Sequence, residues 1–447
     1  MLSAQLAERA DRGAPVRVAL IGAGAFGSMF LSQARLVRGL HVVAVCDLDP
    51  SRARAALART GYPTEAIGTQ GLATAVRNGA TWVTDDAAAI LEPGVVDVVV
   101  EATGSPAAAV RHCLAAYAAG VHVANVTVEA DALLGPILGE RARAAGVVHT
   151  YASGDQPALI CELVDWARVN GLEVVSAGKG TKYLPAYHVS TPATVWGHYG
   201  IDPAHAAAHG LNPVMFNSFL DGTKSAIEMA AVANATGLVP QEDGLRFPPS
   251  SAERLASVCI PEEAGGLLGR RGTVEVVSSL ERDGTEIDGD LRWGVYVVFA
   301  APSDFVRDRF LEYGLAVDPT GRFAALWRPH HLIGLELGTS VARAALRGEA
   351  SGSPDAFHAD VVAVAKRSLR TGETLDGEGG EHVWGRLRPA ARSLAGAELP
   401  IGLAHGVRLV RDVPADSTLT YADVALDETD EVVRLRRELE RRGPAAA

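Results

Sequence analysis

The sequence predicts an α/β protein: an N-terminal doubly wound parallel sheet, then an α+β domain, then a small β-rich C-terminal domain. Three observations carry that prediction. Residues 16–47 run through an apolar stretch, a glycine cluster, a helical pattern and a second apolar stretch. Two further β-branched runs, 95–100 and 121–126, flank another helical pattern, the rhythm of strands buried on both faces of a parallel sheet. Beyond residue 152 the rhythm changes, and near the end residues 366–375 are echoed by residues 410–419. At 447 residues the chain is too long for one ordinary core. The expected domains are 1–152, 153–355 and 356–447.

Residues 1–13 read as a short amphipathic helix leading into the strand VRVALI, 16–21. The strand breaks into Gly22-Ala23-Gly24-Ala25-Phe26-Gly27, and a second strand over 41–46 ends on Asp47. Each position has a physical task in a Rossmann dinucleotide site. Gly22 permits the tight turn, Gly24 lets a pyrophosphate approach the backbone, and Gly27 lets the helix lie close to the strand. The helix N-terminus, at Ala25 and Phe26, offers free amides and a partial positive charge. Asp47, twenty residues past Gly27, stands where a carboxylate accepts from ribose hydroxyls. That acid favours NAD by repelling a 2′-phosphate, whereas Arg52 and Arg54 could hold one, so NAD and NADP both stay open.

Helical stretches at 51–59 and 71–77 and a short strand at 81–83 come next. The strand 95–100 leads into Glu-Ala-Thr-Gly-Ser-Pro, 101–106. A small-residue turn just past a strand's carboxyl end is where an open α/β sheet meets its ligand, which places Ala102, Thr103 and Gly104 near the cofactor. A helix over 107–119 and the strand 121–126 complete the first domain.

In the second domain a helix over 158–170 precedes a strand, 173–177, that runs into Gly178-Lys179-Gly180-Thr181-Lys182. Two lysines in a small-residue loop suit an anionic or carbonyl-bearing substrate, and equally suit plain solvation. The stretch NSFLDGTKSAIEMAAVANATGL, 217–238, reads as one buried helix. At 100° per residue it gathers Asn217, Asp221, Lys224 and Glu228 within roughly a 60° wedge. Such a stripe must pair its charges or aim them into a cleft. It serves either to shuttle a proton, with Lys224 the acid and Asp221 tuning it, or as a structural ion-pair network. Residues 272–280 and 291–300 read as two strands joined by Asp283-Gly284-Thr285 in an antiparallel sheet. A helix over 332–347 follows the adjacent His330 and His331, which are not expected to bind metal. A linker, 348–354, leads to the repeat, and a charged helix over 431–442 ends the chain.

A hydrophobic content of 48% with 21% charged residues describes a globular chain, and the net charge of -12 argues against nucleic-acid or anionic-membrane partners. Four scattered cysteines without a CxxC pair argue against a disulfide framework or a zinc site. No signal-peptide core or apolar run of about 18 residues is seen, so a cytoplasmic protein is expected.

The motifs IGAGAFG (21–27), VVVEATGSP (98–106) and VHVANVTVEAD (121–131) resemble the homoserine-dehydrogenase-like Rossmann family. Val126 follows Asn125 where true homoserine dehydrogenases carry a lysine. Over nearly its whole length the chain is more similar to the deoxyxylulose-phosphate reductoisomerase-like proteins, which join such a body to a C-terminal SAF domain. The shared stretches are VEADALLGP, SAGKG, DGTKSAIEMAAVANATGL, RPHHLIGLE and AKRSLRTGETLDGEGG. The resemblance implies an NAD(P)-dependent oxidoreductase of a small hydroxy or keto compound, with isomerisation of a sugar phosphate in some members. It also implies NADPH use in some members and a homodimer or homotetramer. The expected site comprises Lys179, Lys182, Asp221, Lys224 and Glu228 for chemistry. Gly22, Gly24, Ala25, Phe26, Gly27, Asp47, Arg52, Ala102, Thr103, Gly104 and Asn125 are expected to hold the cofactor, with no metal. Homoserine dehydrogenase proper and a non-catalytic NAD(P) sensor are the other readings.

Overall fold

The computed structural model describes residues 1–68 and 71–445. It divides into two compact units, one of Met1–Leu159 with His331–Asp355, the other of Ile160–His330 with Ala356–Ala447.

The first unit is built on seven parallel strands: β1 (Val16–Ile21), β2 (Leu40–Cys46), β3 (Ile67–Gly68), β4 (Thr81–Thr84), β5 (Val98–Glu101), β6 (His122–Asn125) and β7 (His149–Tyr151). Their order across the sheet is β3-β4-β2-β1-β5-β6-β7, and every pair is parallel. The chain places β2, β3 and β4 on one side of β1 and β5, β6 and β7 on the other, so the direction switches at the β1/β5 boundary. Register lines up the carboxyl ends of Ile21, Glu101 and Asn125 in adjacent strands. The doubly wound sheet is therefore present as expected. One piece of it arrives late in the chain. Leu337, Val341, Ala342 and Ala344, at the start of and within the Gly338–Arg347 helix, join the core around Val18, Leu20 and Val45. The expected helix over 332–347 begins only at Gly338, because the preceding loop packs too closely to coil. A Cβ on Gly334 would lie 2.8 Å from Met29 Cβ, and one on Gly154 would lie 2.5 Å from the Leu332 carbonyl oxygen.

The second unit centres on a five-stranded sheet: β8 (Glu173–Thr181), β9 (Thr273–Ser278), β10 (Val295–Ala300), β11 (Ala316–Val317) and β12 (Phe323–Arg328), ordered β11-β12-β10-β8-β9. Two expectations change here. The strands near 272–280 and 291–300 do not pair as a hairpin, since β8 lies between them, parallel to β9 and antiparallel to β10. The glycines of Gly178-Lys179-Gly180 do not open a loop either, because β8 continues to Thr181. A Cβ at Gly178 would collide with the Glu275 carbonyl oxygen, and one at Gly180 with the Leu291 carbonyl. These glycines serve close backbone approach.

The expected single helix over 217–238 is two helices, Pro213–Leu220 and Thr223–Thr236. Gly222, at φ 90°, turns the chain between them, a conformation glycine adopts without a Cβ penalty. The second helix packs under two C-terminal strands, Ala359–Ala365 and Val383–Pro389. Asn234 ties it there by accepting from the His358 and Ala359 amides at 2.8 and 2.9 Å.

The repeat pairs with itself. Leu369 and Val413, equivalent positions in the two copies, exchange both backbone hydrogen bonds at 2.8 and 3.0 Å. The flanking bonds follow the same symmetry: Gly372 N to Leu409 O matches Asp416 N to Ala365 O. Each copy thus supplies the other's partner across a local pseudo-two-fold axis. The terminal helix Glu431–Arg442 is fastened through buried Arg436, which donates to the Asp360 carboxylate.

Candidate functional site

In the first unit the three glycines of the β1 turn meet three different surroundings. Gly22 sits at φ 99°, and a Cβ there would collide with the Ala102 carbonyl. A Cβ on Gly27 would strike the Gly22 carbonyl oxygen and approach Leu20 Cδ2 to 3.2 Å, so this glycine lets the helix lie on β1. Around Gly24 a Cβ would meet nothing within 4 Å. The Ala25–Ala34 helix begins immediately after it and has no side-chain cap, leaving its first amides, from Ala25 to Gly27, directed outward. Open space over one glycine, an uncapped helix N-terminus and a β1/β5 switch point fit a dinucleotide diphosphate.

Asp47, just past β2, faces inward. Its Oδ2 accepts from the Ala23 amide at 2.8 Å, its Oδ1 from the Asp49 amide at 2.9 Å, and Arg52 donates to the same carboxylate at 2.6 and 3.2 Å. Burial alone would raise its pKa, but those hydrogen bonds outweigh it and hold the carboxyl below the usual range. Asp47 therefore braces the glycine turn. With Arg52 on it, the pair presents a compensated charge where either a ribose hydroxyl or a 2′-phosphate would sit.

At the other side of β1, Glu101 ends β5 fully buried. It accepts from Thr103 Oγ1 at 2.7 Å, from His112 Nδ1 at 3.1 Å and from the Thr127 hydroxyl. Thr127 Oγ1 in turn accepts from the Gly104 amide at 3.0 Å. The expected residues Ala102, Thr103 and Gly104 thus form a loop tied down by a carboxylate that the sequence reading quoted but did not single out. A charged residue closing an apolar strand, VVVE, was the available signal. Asn125 ends β6 beside Glu101 and is also buried.

In the second unit Lys179 lies inside β8, buried, and forms an ion pair with Glu228 on the Thr223–Thr236 helix. Lys224 sits one turn before Glu228 on that helix, half-buried. Lys179 and Glu228 are thus brought together, with Lys224 on the same helix face as Glu228. Lys182 is placed elsewhere: it donates to the His198 carbonyl at 2.8 Å and lies 5.6 Å from the Tyr199 ring centroid. Burial and the charge of Arg292 lower its pKa.

Asp221 is not the partner of Lys224. The break at Gly222 removes it from the helix that carries Lys224, and its carboxylate pairs with Lys366 at 2.7 Å, both side chains fully buried. Lys366 Nζ also donates to the carbonyls of Ser190 and Gly380 at 2.8 and 2.7 Å, so all three of its protons are engaged. Asp221 further accepts from the Thr223 amide at 2.9 Å. This pair joins the C-terminal strands to the 217–238 segment rather than facing a substrate. His188 belongs to the same seam, stacked on Trp384 with ring centroids 3.7 Å apart. Burial lowers its pKa to about 4, so it is neutral: Nδ1 donates to the Asp221 carbonyl and Nε2 accepts from the Tyr183 hydroxyl.

Among the described residues, no three His, Cys, Asp or Glu side chains gather to hold a metal, and no helix is long and apolar enough to cross a membrane.

Compared with known proteins, the chain matches no curated protein sequence. Among solved structures it resembles an NAD-binding oxidoreductase from Klebsiella pneumoniae (22% identity, TM-score 0.29, 39% of this chain and 44% of that one). It also resembles a homoserine dehydrogenase from Thiobacillus denitrificans (21%, TM-score 0.35, 51% and 50%). A third is a probable dehydrogenase from Thermotoga maritima (13%, TM-score 0.37, 75% and 90%). The matched part thus spans about half the length of the first two. Residues 154–337 match the family model described as the catalytic domain of oxidoreductase DRL, which makes this stretch similar to an oxidoreductase catalytic domain.

Proposed function

We propose that this chain is an NAD(P)-dependent oxidoreductase acting on a small hydroxy or keto compound. The observation that carries the reading is the β1 turn, with open space over Gly24 and an uncapped helix behind it, in a chain whose residues 154–337 match an oxidoreductase catalytic domain. A bound nicotinamide dinucleotide supplies or accepts the hydride. The amides following Gly24 hold the diphosphate, and the Asp47–Arg52 pair faces the adenosine ribose. Lys179, paired with Glu228, polarises the substrate carbonyl, and Lys224 moves the proton to or from its oxygen. A sugar phosphate as substrate, with coupled isomerisation, is the finer form of this proposal. It draws support from the self-paired C-terminal repeat, which suits the SAF-type tail of the reductoisomerase-like proteins.

A cofactor-oxidation screen of keto acids, semialdehydes and sugar phosphates, run with NADH and with NADPH, tests the activity. Once a substrate is in hand, Lys179→Met and Lys224→Ala each lower kcat by about 100-fold or more while dinucleotide binding persists. Parental turnover in both variants overturns the assigned roles. A parent that binds neither dinucleotide overturns the reading as a whole.

A further inference from the structure

One buried polar atom of the first unit is left without a partner at the carboxyl edge of the sheet. Asn125 closes β6, and its Oδ1 makes no hydrogen bond among the described residues, although the side chain is only 2% exposed. An orphaned acceptor of this kind costs about 1–3 kcal/mol, so native structures rarely keep one without a use.

The orientation of that amide is set by its neighbours. Asn125 Nδ2 donates to the Thr127 carbonyl at 3.0 Å and to Asp131 Oδ2 at 2.9 Å. Both partners are acceptors, so only the NH2 end can face them, and Oδ1 must point the other way. Asp131 is fully buried in the Val128–Ala144 helix, and its other oxygen accepts from His149 Nε2 at 2.7 Å. Tyr117 Oη lies 2.6 Å from Nδ1 of the same ring. Burial pushes the Tyr117 hydroxyl well above its usual range, so it keeps its proton. The row Tyr117, His149, Asp131, Asn125 is therefore fixed from one end to the other: two donors meet the carboxylate of Asp131, and the amide has a single orientation.

We infer that this row positions Asn125 Oδ1 as an acceptor for a hydrogen-bond donor on the nicotinamide nucleoside, either a ribose hydroxyl or the carboxamide N–H. The inference rests on the dinucleotide reading above. With the diphosphate at β1, the second nucleoside of a dinucleotide extends over β5 and β6 in a doubly wound sheet, where Glu101 and Asn125 stand side by side. Asp131, His149 and Tyr117 are positioning residues, acting through Asn125.

The test is calorimetric binding of NADH, ADP-ribose and ADP to the full chain and to Asp131→Asn and Asn125→Ala. The carboxamide introduced by Asp131→Asn can donate to Asn125 Oδ1 and let that amide turn over, while Asn125→Ala removes the acceptor outright. Both variants weaken NADH by about 2- to 10-fold, the span of one hydrogen bond, and leave ADP unchanged. Equal weakening of ADP-ribose assigns the donor to the ribose hydroxyl; unchanged ADP-ribose assigns it to the carboxamide. NADH binding at the parental level in either variant overturns the inference. A parallel loss of ADP also overturns it, since that marks a merely structural role. A parent that binds none of the three ligands instead refutes the dinucleotide reading.

Discussion

In the first unit three buried polar side chains stand at the carboxyl ends of parallel strands. Asp47, Glu101 and Asn125 close parallel strands or follow them; Arg52, Thr103 and Asp131, which orient them, lie within six residues in sequence, while the Ala23 amide, His112 and Thr127 come from farther away. In the second unit three buried ion pairs join residues from far apart: Lys179 with Glu228, Asp221 with Lys366, Asp360 with Arg436. The first arrangement leaves the Asn125 Oδ1 acceptor and the amides after Gly24 uncommitted along a sheet edge. The second, in the Asp221–Lys366 and Asp360–Arg436 pairs, uses charge to fasten distant segments of one body. Buried polarity alone therefore does not mark a site. The Asp221–Lys366 pair belongs to the fastening kind because its ammonium commits all its protons to three oxygens of the fold.

The largest effects are expected at the glycine turn. Gly22→Val places a Cβ against the Ala102 carbonyl at positive φ, and a loss above about 4 kcal/mol is expected in chemical denaturation. A Cβ at Gly24 meets no neighbour within 4 Å, so Gly24→Val is expected to keep the fold near parental stability while NADH binding is lost. Equal destabilisation by both would refute the assignment of Gly24 to a ligand. Next in size is Lys366→Met, which leaves Asp221 charged and unpaired in the interior. It should cost about 3–5 kcal/mol, most of it recovered by adding Asp221→Leu. A double variant no more stable than the single one would show that the pair is not the fastener described.

Smaller and readable by pH is Glu275 in β9. It accepts from the Val276, Arg246 and Phe247 amides and from Gln241, yet burial prevails and raises its carboxyl to about 7. Between the ordinary carboxylate range and pH 7 the folded chain holds a proton that the unfolded chain has released. Stability therefore falls as pH rises through that window and levels off above it, by roughly 3 kcal/mol for this group. Glu275→Gln should flatten that segment of a stability-versus-pH curve. An unchanged slope counts against the raised carboxyl.

What could be read from the sequence was the part whose causes lie close together in the chain. The glycine spacing, the two strands around it and Asp47 fall within 32 residues, and each glycine meets the surroundings its task requires. Lys179 and Glu228, both singled out in the sequence, meet as an ion pair, but the local structure expected around them was partly mistaken. The glycines beside Lys179 read as a loop because their real cause, the approach of the Glu275 and Leu291 carbonyls, lies about 100 residues downstream. The helix over 217–238 read as continuous because its apolar pattern survives the break, and the break follows from Gly222 at positive φ. Asp221 found its partner 145 residues away, beyond any local pattern. The buried row behind Asn125 was hidden similarly: Asp131 reads as one acid in an apolar helix until His149 is folded against it.

The late return of residues 331–355 has a practical corollary. A fragment stopped at the end of the first sheet lacks the Gly338–Arg347 segment that seals its interior, and without Leu337, Val341 and Ala344 the apolar wall they normally cover is left exposed. Because Gly154 already touches Leu332, the excursion through residues 160–330 leaves and re-enters the first unit near one spot. The first unit made on its own is therefore best spliced from both pieces, joined by a short turn at that crossing.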